Sequence, residues 1–142
     1  MALDATKTLN GSFGTIYSAD GEWLTNVTQA EATGELNKEE VNRAGTRVVG
    51  HKVTSITYSG SMTGYKITTK LAKQIAQVAD DSKGSFVTEL VMKLDDPENH
   101  DGKTWVRLMG VQFDSIPILS YEVGSIVTEE TPFTFSGFQY IE

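Results

Sequence analysis

The amino-acid sequence predicts a mainly β protein with one α-helix: an antiparallel β-sandwich or open barrel of about seven or eight strands, flanked by a single amphipathic helix. Two observations carry this expectation. Short runs of alternating or β-branched residues recur between clusters of Gly, Asp, Asn and Pro along nearly the whole chain. Apolar residues at helical spacing occur convincingly in one place, so no alternation of strands with helices develops and a parallel, doubly covered sheet is not expected.

Residues 1–12 are small and polar and read as a flexible arm leading into a first strand over residues 13–17. Asp20-Gly21 marks a turn, and residues 23–32 alternate (Trp23, Thr25, Val27, Gln29 against Leu24, Asn26, Thr28, Ala30) as a second strand, whose simplest partner is the first. Residues 35–47 are strongly polar, with Glu35, Lys38, Glu39, Glu40, Asn42, Arg43 and Arg47 against Leu36, Val41 and Ala44 as the apolar members. A connection of that length without a core-facing pattern reads as a long surface loop with a function of its own.

The segment from Val53 to Tyr65 carries no charge, and strict alternation puts Val53, Ser55, Thr57, Ser59, Ser61 and Thr63 on one face and Ile56, Tyr58 and Met62 on the other. As one strand with its flanking lysines it spans roughly 50 Å at about 3.4 Å per residue; a turn at Ser59-Gly60-Ser61 is the competing reading. A long neutral strand without internal Lys, Pro or Asp lacks the devices that keep an exposed edge from pairing, so Thr57, Ser59, Ser61 and Thr63 are expected on a strand that another subunit covers.

Residues 69–79 place Leu71, Ile75, Val78 and Ala79 on one stripe of a helix, with Thr68 or Thr69 as its cap and Gly84 beyond its end. Residues 86–94 and 104–113 form a hairpin around the turn-rich stretch 95–102, and the second of these is apolar on both faces and so central. After Pro117 a further strand is expected over residues 118–127, with Leu119, Tyr121 and Val123 on one face. Glu129 to Pro132 reads as a turn, and residues 133–141 as the last strand, with a bulge at Gly137 that shifts the phase from Phe133 and Phe135 to Phe138 and Tyr140.

The 142 residues suit a single domain, which at that size buries roughly 70% of the surface its unfolded chain exposes. No cysteine is present, which excludes disulfides, thiolate metal sites and Cys nucleophiles. The net charge of −7, from 19 acidic and 12 basic residues without clustered Lys or Arg, argues against nucleic-acid recognition. No apolar window approaches the roughly 18 residues of a membrane span, and the N-terminus has no basic head before an apolar stretch, so a soluble, unprocessed chain made inside the cell without membrane anchoring is expected. His51 and His100 lack metal-ligand spacing and no G-x-S-x-G elbow occurs, so no catalytic residue, metal ligand or cofactor site is assigned. Asp95, Asp96, Glu98 and Asp101 miss the calcium-loop spacing and read as a solvated hairpin loop.

Taken together, the short N-terminal arm, the run from Glu40 to Lys52, the hydroxyl-rich strand ending in Gly64-Tyr65-Lys66-Ile67-Thr68-Thr69-Lys70, Phe113-Asp114-Ser115 and the closing Glu129-Glu130-Thr131-Pro132-Phe133-Thr134-Phe135 resemble the tail tube proteins of contractile-tailed phages, defective prophages and phage tail-like particles. The resemblance covers nearly the whole chain. It implies a structural subunit of a virion or tail-like particle, built in the host bacterial cytoplasm, whose hexameric rings stack into a tube inside a contractile sheath. It implies sheath, baseplate and tail terminator proteins as partners and DNA as non-specific cargo. Under it, Lys38, Glu39, Glu40, Asn42, Arg43 and Arg47 are expected to stack one ring on the next. Six chains at −7 make a ring of about −42, along which DNA would slide without sticking. The alternative from another class is a small β-sandwich binding module, for instance for carbohydrate.

Overall fold

The computed structural model describes residues 3–19, 21, 24, 26–66 and 70–141. Seven strands form one antiparallel sheet: β1 (Gly14–Tyr17), β2 (Val27–Val41), β3 (Gly50–Tyr65), β4 (Val87–Leu94), β5 (Thr104–Phe113), β6 (Thr128–Phe135) and β7 (Gly137–Tyr140). Their order is β1-β4-β5-β6-β3-β2, with β7 on β5. The mainly β class, the central place of β5 and the β4–β5 hairpin agree with the sequence reading.

The core lies on one face of this sheet. Ile16, Met62, Leu90, Leu108, Val111, Phe133 and Phe135 are buried there, one or two from each contributing strand. The period of two makes this possible, since every second residue of a strand faces the same way. Phe133 is fully buried between Phe113 (rings 6.1 Å apart, edge to face) and Phe135 (6.2 Å), and its ring passes over Gly60 of β3. A Cβ at Gly60 would collide with the Glu31 carbonyl oxygen of β2 and stand 2.8 Å from Phe133 Cζ, so the glycine allows both the close approach of β2 and the seat for the ring. Thus residues 59–61 are no turn: β3 runs unbroken, and Gly60 serves packing.

Beyond β3 the chain forms α1 (Lys70–Ile75) and tightens into a 3₁₀ turn over Ala76–Ala79. Leu71 packs on the core and Ile75 is buried, but the tightening leaves Val78 exposed, which shortens the expected apolar stripe by a turn. The proposed cap, Thr68 or Thr69, lies outside the described residues, as do Asp20 of the expected turn and Trp23 and Thr25 of the expected second strand.

Four expectations are corrected. First, β1 pairs with β4, setting Ile16 opposite Met92, instead of forming a hairpin with β2. The long-range pairing buries an apolar pair, which a local hairpin to a polar partner would not. Second, residues 35–41 of the expected loop are the outer part of β2, paired residue by residue with β3. Both faces of that ribbon meet solvent, so nothing enforces the alternation by which strands are recognised. Third, no strand forms over residues 118–127, and fourth, the expected turn at Glu129 to Pro132 lies inside β6. Pro132 is tolerated because its carbonyl accepts the Asp114 N–H (2.9 Å) on the β5 side; its missing N–H faces the same way, so the ladder to β3 loses nothing.

The phase shift near the C-terminus is real and falls one residue earlier than Gly137. At Ser136 the strand breaks into β6, which lies on β3, and β7, which continues along β5. Ser136 donates from both its backbone N–H (3.0 Å) and its hydroxyl (3.2 Å) to the Met109 carbonyl. Opposite stands Gly110 at φ +68°, a left-handed conformation that glycine adopts without strain. A Cβ there would collide with the Ser136 hydroxyl.

The N-terminal arm is tied down. Asp96, buried within the 95–102 connection, accepts the backbone N–H of Asn10 (2.9 Å) with one oxygen and that of Glu98 (2.9 Å) with the other. Lys7 donates to the Glu98 carbonyl (3.1 Å), and Asn99 donates back to the Lys7 carbonyl (2.7 Å). Asp4 caps the first turn: the Thr6 hydroxyl, then the Thr6 N–H, stabilise its charged form and hold its carboxyl below the ordinary carboxylate range. The acidic stretch read as a solvated loop therefore has a structural centre at Asp96.

Gly110→Ala combines left-handed strain with the collision at Ser136 and is expected to destabilise the fold by about 2 kcal/mol, read as a lower chemical-denaturation midpoint at unchanged slope. Adding Ser136→Gly restores part of the loss, and an unchanged midpoint in the single variant would contradict the corner as described.

Candidate assembly surfaces

The β2–β3 hairpin is longer than the body of the sheet that carries it. Its strands are 15 and 16 residues long, whereas β6 covers β3 only from Tyr58 to Tyr65. Beyond the Gly34–Tyr58 pair the hairpin continues as a two-stranded ribbon, and among the described residues no strand lies on either of its edges. An unprotected ribbon is marginal in water and offers backbone donors and acceptors to any strand that approaches.

The ribbon is held by local bonds. Between the Asn37–Ser55 and Lys38–Val53 pairs the register shifts, leaving Thr54 as an extra residue whose hydroxyl donates to the Asn37 carbonyl (3.1 Å). The Asn37 amide donates across to the hydroxyls of Ser55 (3.0 Å) and Thr57 (3.2 Å). At the tip, the Arg43 guanidinium donates twice to the Val48 carbonyl (3.4 and 3.3 Å), Thr46 Oγ1 accepts the Val48 N–H (3.1 Å), and Gly45 turns the chain at φ +83°. Leu36, Val41, Val48, Val53 and Ile56 are exposed along this ribbon, Leu36 and Ile56 as a cross-strand pair.

The residues expected to stack rings gather here. Lys38, Glu39 and Glu40 lie on outer β2 opposite Val53, Lys52 and His51, while Asn42, Arg43 and Arg47 lie in the connecting tip. The hydroxyl residues divide differently. Ser59, Ser61 and Thr63 sit between β2 and β6, paired through Thr33, Glu31 and Gln29 on one side and Thr134, Pro132 and Glu130 on the other. Their strand is interior to the sheet, so the expectation that it presents a free edge is corrected. Thr57 has Glu35 on one side and lies just past the end of β6, where the open edge of β3 begins. On this side of the sheet the edge strand is β2.

A second surface escaped the sequence reading. The β5–β6 connection exposes Ile118, Leu119, Tyr121, Val123 and Ile126 at 68% to 92% of their full area. The run was read as a strand because its residue types favour one, but both strands it joins already have partners. Five large apolar side chains in one exposed stretch mark an interaction surface. Among the described residues, no group of His, Cys, Asp and Glu is placed to hold a metal ion, and no helix is long and apolar enough to cross a membrane.

The comparisons with known proteins agree with this anatomy. The family described as phage tail tube protein matches residues 1–142. The chain belongs to the phage tail tube protein family. It is 38% identical over 143 residues to the phage-like element PBSX protein XkdM of Bacillus subtilis (strain 168), covering all of this chain and 96% of that protein. Its fold matches a chain of the sheath–tube complex of an extracellular contractile injection system, PVC, in the extended state, with a TM-score of 0.71 at 10% identity, over 94% of this chain and 93% of that one. It also matches a chain of the native gene transfer agent virion, with a TM-score of 0.67 at 13% identity, over 95% and 100% of the two chains. The family is one of structural proteins of the phage tail and not of enzymes.

In the isolated chain, backbone amides of residues 36–56 are expected to exchange with solvent at least about ten-fold faster than those of residues 58–64, because only the latter are flanked by two strands over a core. Hydrogen exchange read by mass spectrometry checks this, and equal protection along the hairpin would mean that the ribbon is held by something other than its own ladder.

Proposed function

We infer that the chain forms hexameric rings that stack into the inner tube of a contractile tail, serving as a conduit for DNA or as a membrane-piercing needle. The observation that carries this reading is the open-edged β2–β3 ribbon, which extends past its own core and exposes apolar residues on a chain whose family is that of tail tubes. Surface of this kind is stable only when another copy covers it. Within a ring, the outer edge of β2 takes a strand of the neighbour, so that the sheets join into one barrel around the lumen; edge pairing of unlike strands is a heterologous contact of the type that closes a ring. Thr57 and the open edge of β3 beside it belong to that contact, and the hydroxyls of Ser59, Ser61 and Thr63 furnish a neutral face next to it. Between rings, the outer ribbon with Lys38, Glu39, Glu40, Asn42, Arg43 and Arg47 is the stacking element.

Sheath, baseplate and tail terminator proteins are the partners this role requires, and assembly takes place in the host bacterial cytoplasm. DNA is cargo without sequence recognition: a lumen built from chains of net charge −7 repels phosphate and lets the duplex pass.

Replacing residues 38–54 by Asn-Gly joins Asn37 to Ser55, which already face each other, through a two-residue turn and removes the tip without disturbing the inner register. The shortened chain is expected to fold with wild-type circular dichroism in the β region and to form rings that do not grow into tubes under negative-stain electron microscopy. Tubes of wild-type length would remove the stacking role from the tip, and a wild-type chain that stays monomeric at every concentration would remove the ring itself.

A further inference from the structure

Charge in this chain is sorted by position. Between positions 41 and 79 there is no acidic residue, and after Arg107 there is neither Lys nor Arg. The connection at the hairpin tip, residues 42–49, therefore carries Arg43 and Arg47 without an acid among them, whereas Lys52 below it stands opposite Glu39; the β5–β6 connection carries Asp114 and Glu122 without a base. Both segments are apolar and exposed at the same time: Val48 in the tip and Val53 below it, Ile118, Leu119, Tyr121 and Val123 in the connection.

These two surfaces stand at opposite ends of the sheet. The tip joins β2 to the Gly50 end of β3, whereas the connection enters β6 at Thr128, which pairs with Tyr65 at the other end of β3. About 50 Å of strand, at roughly 3.3 Å per residue, separates them. They do not meet within one chain, but a copy displaced along the strand axis brings the tip of one against the connection of the other.

We propose that the basic hairpin tip of one copy docks on the acidic, apolar β5–β6 connection of a second copy stacked end to end with it, with Arg47 set against Glu122. The proposal rests on the tube reading above and names the contact that transmits it from ring to ring. Arg43 is already engaged at the Val48 carbonyl, which makes it the organiser of the tip and leaves Arg47, an exposed residue of the same loop, as the recognising charge. On the receiving side Glu129 is held by Lys66 (2.7 Å), so Asp114 and Glu122 supply the acidic character of the connection. Covering the five exposed side chains of the connection removes roughly 700 Å² from water, close to the ~800 Å² each partner gives to a standard interface. The pairing joins unlike surfaces along one direction, and such a heterologous contact propagates without closing, as a stack of rings must.

The test is a charge exchange in the full-length chain, with circular dichroism confirming the fold of each variant. Arg47→Glu and Glu122→Arg are each expected to raise the concentration needed for tube growth about five-fold, the scale of one exposed ion pair. The two changes combined in one chain restore wild-type growth, and an equimolar mixture of the two single variants forms mixed tubes. Net repulsion alone predicts otherwise, since Glu122→Arg makes the chain less acidic and would then assemble better than wild type. Tubes in the wild type together with additive losses in the double variant would overturn this contact while leaving the tube reading in place. A wild-type chain that never assembles would overturn both.

Discussion

The structure depends on the seating of Phe133 over Gly60. That contact sets β6 on β3 in one register, and β6 in turn carries Phe135 into the core and hands its chain on to β5 as β7. Because side chains alternate across a strand, a slip of one residue would turn Met62 and Phe133 outward and bring Ser61 and Thr134 into their places. Gly60 allows the aromatic ring to approach the backbone, and no other residue type leaves that space.

From this seat follows the division of the long hairpin. The inner half of β3 is held by neighbours on both sides, while the outer half, beyond Tyr58, is held by β2 alone. The inner half belongs to the stability of the subunit and the outer half to what lies outside it. Local devices keep the ribbon extended, namely the Asn37 amide bridging two hydroxyls and Arg43 closing the tip. A pre-shaped ribbon loses less conformational entropy on docking than a disordered loop would, which suits a contact that must repeat many times along a tube.

Parts of this architecture were legible beforehand because they obey local rules. The inner part of the neutral run, residues 58–65, the central strand at 104–113 and its hairpin, and the phase shift near Gly137 all express a period of two under burial; outward of Tyr58 the run is exposed, and the extra residue Thr54 puts Val53 on the opposite face from Ser55, against the expected alternation. What was not legible lay where burial imposes no pattern. Outer β2 is polar on both faces and so looked like a loop, and residues 118–127 are apolar and looked like a strand. The exposure of the β5–β6 connection had no signal in hydrophobicity itself. The sorting of charge, basic through the hairpin tip and acidic after Arg107, was present in the sequence and marks both ends of the proposed stacking contact.

The sequence by itself determined the class of the protein: mainly β, without thiols or a catalytic constellation, of a tail tube pattern, and too acidic to hold nucleic acid by attraction. These are statements about composition, period and short motifs, which each residue carries wherever it is placed. Only the tertiary structure decided which strands are neighbours. That β1 joins β4, that the inner half of the hydroxyl strand is interior while β2 forms an edge beside it, and that the basic tip and the acidic connection stand at opposite ends all depend on contacts between residues far apart in the chain. Such pairings are selected by the total burial they achieve together, with Phe133, Leu108 and Val111 at the centre, and no single segment contains that information.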